Sequence, residues 1–168
     1  MQPSDKAQIL KDSPIFSGLN DGELDELSSL AIERSFMPDE FVFWEEGSPD
    51  YFYVVVKGRI KVIKHSSLGR EFIVAFFGPG EMFGEVAAFE NKPYPASAQA
   101  VVETEVVGVK REDLLSFLTS RPQVALGIIS VLGGRLRDAH SRLRDIAGER
   151  VEQRLAGILL MLSSRLGL

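Results

Sequence analysis

Short runs of β-branched and aromatic residues between Phe36 and Val109 constrain the fold of this chain more than any other feature. They read "EFVFWEEG", "YFYVVVKGRIKVI", "REFIVAFFGPG" and "SAQAVVETEVVGV", and Gly, Pro, Asp and Ser separate them at short intervals. This spacing predicts a β-sandwich or barrel of about eight strands. The segment "KHSSLGRE" is typical of a hairpin tip, in which we expect His65 to be exposed to solvent.

Helical patterns flank the β-rich region on both sides. In "LNDGELDELSSLA", Asn20 can cap a helix and Glu23 follows three residues later, as in a capping box. After Val109, "REDLLSFLTS" predicts a short helix that ends near Pro122, and a longer helical pattern continues to Gly148. The apolar residues of the first helix fall on one face: Leu24, Leu27, Leu30 and Ala31.

The longer helix carries an aliphatic seam, in which apolar residues alternate at intervals of three and four. The seam consists of Ile129, Leu132, Leu136, Ala139, Leu143 and Ile146. Two interpretations are open: the helix packs on the protein's own barrel, or two copies of the chain form a coiled coil. The opposite face carries charged residues such as Arg135 and Arg142, which is typical of a solvated surface. We therefore expect a homodimer that uses the seam as its interface.

These changes of pattern divide the chain into successive segments. Residues 1–35 are predicted to be an N-terminal helical segment, and residues 36–110 the β domain. Residues 111–148 are predicted to contain the short helix and the long dimerisation helix. The remainder, residues 149–168, predicts another helix with an apolar face, and we interpret it as the start of a further domain.

Composition limits the classes of function. With 45% hydrophobic residues, the chain can bury the core of a soluble domain. No apolar run reaches the roughly 18 to 20 residues of a membrane span, and the first residues do not resemble a secretory signal. We expect a cytoplasmic protein without membrane contact. The absence of cysteine excludes disulfides and thiolate metal sites within the chain, and a net charge of −5 provides no global attraction for DNA.

Four motifs together point to a known family. They are "FVFWEEGSPDYFYVVVKGRIKV", "FGPGEMFGEVAAF", "YPASAQAVVETEVVGV" and the helix that begins "GGRLRDAHSRLRD". With these motifs the chain resembles, over nearly its whole length, the effector domain of the CRP/FNR family of bacterial transcription regulators. The resemblance implies a jelly-roll β-barrel that holds a small effector, a long helix that forms a homodimer, and a C-terminal helix-turn-helix that reads DNA. We recognise no helix-turn-helix in the chain, so DNA contact is expected only through that missing domain.

The resemblance also implies an effector site. In cAMP-binding members a Gly-Glu pair holds the ribose, and Gly84 and Glu85 match it. The Arg-Ser pair that holds the cyclic phosphate falls on Tyr94 and Pro95, so both phosphate-binding side chains are absent. The Thr and Ser that contact adenine fall on Ala139 and His140 of the long helix. The expected effector site comprises Gly84, Glu85, Val86, Tyr94, Pro95, Ala96, Ser97, Ala139 and His140.

The missing pair argues against cAMP as the effector. A buried phosphate without a cation carries a large desolvation cost, which a bidentate arginine usually offsets. A buried Glu85 would also repel the phosphate or take up a proton. For Glu85 itself two interpretations remain, a ligand-facing group or a carboxylate satisfied by backbone amides at a helix start. Pro95 is expected to stiffen a turn, and Tyr94 to pack with its hydroxyl outward or to line a cavity for a neutral, hydrophobic ligand.

Other functions compete with this interpretation. His140 could ligate haem iron, which would make the chain a haem-dependent sensor of nitric oxide or carbon monoxide, as some relatives with altered pockets are. The domain could instead regulate a kinase or a channel. A cupin-type enzyme would need a cluster of metal ligands, whereas the two histidines, His65 and His140, lie far apart in the sequence. We therefore expect neither an enzyme nor a metal site.

Overall fold

The computed structural model describes residues 3–66 and 68–148. The helix predicted within residues 149–168 and the side chain of Ile146 lie outside the part that it describes. The helices are α1 (Pro3–Asp12), α2 (Asp21–Leu30), α3 (Glu85–Glu90), α4 (Arg111–Ser120) and α5 (Pro122–Gly148). The strands are β1 (Ala31–Phe36), β2 (Phe41–Phe43), β3 (Tyr51–Lys57), β4 (Ile60–His65), β5 (Glu71–Phe77), β6 (Met82–Phe83), β7 (Ser97–Ala100) and β8 (Thr104–Lys110).

The eight strands form two antiparallel sheets of four, in the orders β1-β8-β3-β6 and β2-β7-β4-β5. This double sheet with flanking helices confirms the predicted jelly-roll fold. β4 and β5 pair as a hairpin, as "KHSSLGRE" predicted, and His65 at the end of β4 is exposed. β5 is an edge strand of its sheet, so one side of it has no strand neighbour.

The core lies between the inner faces of the two sheets, because strand side chains alternate between opposite faces. Aromatic rings fill much of it: Tyr53 lies 5.2 Å from Phe83 and 6.0 Å from Phe43, measured between ring centroids. Burying one such side chain stabilises the fold by about 1.5–3 kcal/mol. The buried core residues are Val42, Tyr53, Val55, Ile60, Phe83, Ala98, Ala100 and Val106.

The N-terminal region confirms one prediction and corrects another. The Asn20 side chain accepts from the Glu23 amide, and the Glu23 side chain accepts from the Asn20 amide, so the capping box is present. The helical segment, however, does not reach residue 35. α2 ends at Leu30, and Ala31 begins a strand that pairs with β8 up to Val109. Pairing with β8 outweighs the helical pattern, so the β domain begins five residues before the predicted boundary of 36.

α4 follows β8 directly and ends before Pro122, as predicted. Its buried residues include Leu114 and Phe117, which attach it to the barrel. The Arg121 guanidinium lies over the Phe117 ring, 4.2 Å from its centroid, and forms ion pairs with Glu23 and Glu26 of α2. Arg121 therefore ties α2 to the junction between α4 and α5.

α5 runs unbroken through Gly133 and Gly134. Val124 and Ile128, in its first part, are buried. By its internal contacts the chain divides into two compact units, and the boundary lies between Ile128 and Ile129. In the part of the chain described, no single helix is long and apolar enough to cross a membrane.

Candidate functional site

The site predicted around Gly84 is built where β6 turns into α3. Gly84 has a left-handed backbone, with φ of 78°, and a side chain is strained there. A Cβ atom at this position would lie 3.3 Å from the Phe43 ring, 3.4 Å from the Tyr94 ring and 3.5 Å from the Tyr51 carbonyl oxygen. Glycine thus allows two aromatic rings to approach the backbone at the start of α3. Glu85, the first residue of α3, is buried.

Tyr94 is the central aromatic residue of the site. Its ring stacks on Phe43, with 3.7 Å between centroids and 8° between planes. Its hydroxyl donates to the Tyr51 carbonyl oxygen at 2.7 Å and accepts from the Tyr51 amide at 3.3 Å. The prediction of an outward hydroxyl was therefore wrong, because these two backbone groups satisfy the hydroxyl inside the protein. Tyr94 is only 3% exposed.

Burial also affects the ionisation of the tyrosines at the site. It raises the pKa of Tyr94 far above its ordinary value of 10.0, and it raises the pKa of Tyr53 to about 12. A tyrosine is already neutral at physiological pH, and the raised pKa extends the neutral range of both groups to higher pH. The Tyr94 hydroxyl is therefore a fixed donor to the Tyr51 carbonyl, and it provides no charge for a ligand.

The loop before β7 is held by the turn that follows β2. The Tyr94 amide donates to the Gly47 carbonyl at 3.0 Å, and the Glu46 amide donates to the Tyr94 carbonyl at 2.9 Å. The Ser97 hydroxyl accepts from the Glu45 amide at 2.8 Å. These bonds tie residues 94–97 to the turn that follows β2. The Ser97 hydroxyl is therefore already hydrogen-bonded within the protein.

A cavity of about 160 Å³ lies between this loop, α3 and the hairpin strands β4 and β5. Nearly all of its lining is apolar, and Glu85 is the one charged residue among the described residues that form it. No lysine, arginine or histidine belongs to that lining. It is formed by Phe43, Val62, Val74, Ala75, Phe77, Gly84, Glu85, Val86, Ala87, Tyr94, Pro95 and Ala96.

The structure thus brings most of the predicted site residues to one cavity, from Gly84 to Val86 and from Tyr94 to Ala96. Ser97 is instead buried on β7 and bound to Glu45, outside the lining. Ala139 and His140 lie on α5 in the second unit, and both are exposed.

Sequence reasoning missed the residues that the strands contribute. Phe43 and Val62 reach the cavity from β2 and β4, and Val74, Ala75 and Phe77 reach it from β5. Alternation in "FVF" marks Phe43 as facing the same side as Phe41, but alternation does not say which side is the core. Which strands meet is decided by sheet pairing, since β2 and β4 both pair with β7.

The described residues give little support for a metal-binding site. In the part of the chain that the structure describes, His, Asp and Glu side chains form no group of three or more that could hold a metal ion. The two histidines belong to different units, His65 at the end of β4 and His140 on α5.

Comparison with known proteins identifies the family. Residues 33–121 match the family model of the cyclic nucleotide-binding domain. The chain is 31% identical over 160 residues to the CRP-like cAMP-activated global transcriptional regulator of Mycobacterium tuberculosis, covering 95% of this chain and 71% of that protein. It is 33% identical over 153 residues to the cyclic AMP receptor protein of Thermus thermophilus, covering 91% and 71%.

A solved structure agrees with this match. The catabolite activator protein of Thermus thermophilus superposes with a TM-score of 0.73 at 33% identity, over 93% of this chain and 73% of that one. The chain therefore belongs to the cyclic nucleotide-binding domain family, as a sensor domain of the CRP/FNR type of transcription regulator. These relatives are regulatory proteins, in line with the expected regulatory role.

Proposed function

We propose that this domain senses a small, apolar, uncharged molecule rather than cAMP, and that a dimer of the chain transmits the signal to DNA-binding domains. The observation that carries the proposal is the environment of Tyr94. At the position where cAMP-binding members hold the phosphate with arginine, Tyr94 is neutral, and its hydroxyl already bonds to Tyr51.

The energetics favour a neutral ligand. A cyclic phosphate in this cavity would lose water without gaining a cation, since the described lining residues include none. Leaving one member of a buried ion pair without its partner costs about 3–5 kcal/mol, which corresponds to a loss of more than a hundredfold in affinity. The buried Glu85 adds a carboxylate near the same space. An apolar ligand meets neither penalty.

The volume of the cavity limits the size of the ligand. An apolar cavity of about 150 Å³ engineered in another protein stays dry and binds benzene. The present cavity, at about 160 Å³, suits a molecule between benzene and indole in size. Such a ligand would stack against the rings of Phe43 and Tyr94, and its apolar surface would leave water, which is the main source of affinity.

The aliphatic seam of α5 supports the dimer. Ile129 is 62% exposed, Leu136 57% and Leu143 62%, although all three are large apolar residues. Exposed leucines and isoleucines at heptad spacing are typical of a helix that packs against a second copy. A ligand that prefers one packing of the seam would shift the dimer between two arrangements, and the DNA-binding domains implied by the family would turn with it.

The alternatives have less support. Haem is far larger than the cavity, and His140, its proposed ligand, is exposed on a different unit. A haem site would have to form elsewhere. Regulation of a channel has weaker support, since a plant potassium channel is 25% identical and this chain covers only 17% of it. The CRP-like transcriptional regulator is 31% identical, and this chain covers 71% of it.

Indole is a suitable probe of the cavity, with calorimetry as the measurement. We expect saturable binding of one indole per chain. Val86→Phe should reduce the affinity at least about tenfold, because Val86 lines the cavity and the larger ring would fill it. Val102→Phe is the matched control, since Val102 is 48% exposed, close to the 45% of Val86, and lies outside the lining. The absence of saturable indole binding to the unmodified chain, or equal loss in both variants, would contradict the proposal.

A further inference from the structure

A second, polar cleft lies on the barrel near the end of α3. Its volume is about 430 Å³, and it lies between the loop that precedes β3, the C-terminal end of α3 and the junction of β8 with α4. Four of its lining residues are charged: Asp50, Lys110, Arg111 and Glu112. Its lining differs from that of the apolar cavity, with which it shares no residue.

The four charged side chains do not pair with one another. Within the described chain, none of them forms an ion pair with another. One Asp50 carboxylate oxygen accepts from the Ser48 hydroxyl at 2.7 Å. The Arg111 Nε donates to the Ala88 carbonyl at 2.7 Å, which leaves the two terminal nitrogens of the guanidinium without a bond to the described residues. Lys110 and Glu112 are exposed at the cleft.

Charges of both signs around one cleft select for a dipolar molecule. An anion would be attracted by Lys110 and Arg111 but repelled by Asp50 and Glu112, and a cation would meet the reverse. A molecule with a carboxylate and an ammonium group satisfies both pairs, and a guanidinium with two free nitrogens can hold a carboxylate bidentately. We propose that this cleft binds a free amino acid in its zwitterionic form, as a second ligand of the domain.

The cleft is connected to the apolar cavity through shared supports. Arg111 bonds to Ala88 of α3, and α3 also carries Glu85 and Val86, which line the apolar cavity. Tyr51 lines the cleft, and its backbone holds the hydroxyl of Tyr94, which lines the cavity. An amino acid bound by Arg111 therefore restrains α3. Binding at the cleft can nevertheless be measured with no ligand in the apolar cavity.

Calorimetry with the full chain tests the binding. Each of the standard amino acids is titrated, with acetate, inorganic phosphate and methylammonium as probes of a single charge. We expect at least one amino acid to give a saturable one-to-one isotherm, and none of the single-charge probes to do so. Saturable binding of acetate or phosphate with equal affinity would show an anion site instead, and no saturable amino acid would overturn the proposal.

Variants locate the site. Lys110→Met and Glu112→Gln change exposed side chains that form no bond within the described chain, so both should fold normally. Each is expected to weaken amino-acid binding at least about tenfold, since each removes one charge contact. Lys57→Met, at the far end of β3, should leave the affinity unchanged. Equal affinities in all three variants would place the ligand elsewhere.

Hydrogen exchange tests the connection to α3. When the amino acid is bound, the amides of α3 should exchange several-fold more slowly, because Arg111 is held against Ala88. Slower exchange confined to the cleft, with α3 unchanged, would overturn the coupling. This measurement requires no ligand in the apolar cavity, so its failure and a failure of indole to bind are distinguishable.

Discussion

Leu136→Glu is expected to convert the protein from a dimer into a monomer at micromolar concentration. Leu136 lies near the middle of the aliphatic seam and is 57% exposed on one chain. In a two-stranded coiled coil the substitution would place two carboxylates opposite each other in an apolar interface, where each loses water and they repel. We expect the dissociation constant to rise by at least about a hundredfold, which sedimentation velocity measures directly.

Leu143→Glu should act in the same way, since Leu143 is 62% exposed one heptad further along α5. Leu68→Glu is the matched control: Leu68 is 82% exposed, but it lies in the turn between β4 and β5, so the dimer should persist. Circular dichroism establishes that each variant keeps its helices. A dimer that survives both seam substitutions would show that the interface lies elsewhere, and a monomeric unmodified chain would refute the dimer itself.

Gly58→Ala is expected to cause the largest loss of stability. Gly58 connects β3 to β4 with φ of 88°, and a Cβ atom there would lie 2.5 Å from the Glu103 carbonyl oxygen and 2.8 Å from the Thr104 Cα. These are backbone atoms, so the loop before β8 must move. We expect a decrease of at least about 3 kcal/mol in the free energy of unfolding, from backbone strain and from the clash together.

Gly69→Ala separates those two causes. Gly69 has a similar φ of 74°, but an added Cβ would meet no atom within 4 Å. It should therefore lose only about 1–2 kcal/mol from the left-handed backbone. Urea denaturation of both variants measures the difference. Equal losses would mean that the close approach of Gly58 to Glu103 contributes nothing to the stability of the fold.

The sequence correctly predicted those structural features that depend on interactions between neighbouring residues. The capping box of Asn20 and Glu23, the β4–β5 hairpin and the end of α4 before Pro122 each depend on neighbouring residues, and each is confirmed. Ala31 was placed in a helix because its apolar spacing fits one. Its strand conformation depends on Val109, a partner 78 positions away, which no local pattern reveals.

The candidate site likewise contains residues that the sequence predicted and residues that it did not. Gly84 and Glu85 were recognisable from a motif, and Tyr94 and Pro95 from their positions after it. The direction of the Tyr94 hydroxyl could not be predicted, because it donates to the backbone carbonyl of Tyr51, which lies on a strand that is distant in sequence. Phe43 reaches the cavity only because β2 pairs with β7, which brings its ring onto Tyr94. The polar cleft likewise combines residues from three separate stretches of the chain.

Titration calorimetry with cAMP tests the central claim most directly, namely that the cavity takes a neutral, apolar ligand and lacks the cation that a cyclic phosphate requires. Indole titrated into the same preparation tests in parallel whether the cavity takes a neutral ligand. The structure predicts no saturable heat with cAMP at micromolar concentrations, because Tyr94 is neutral and the described lining contains no cation. A tight one-to-one isotherm with cAMP would contradict the claim.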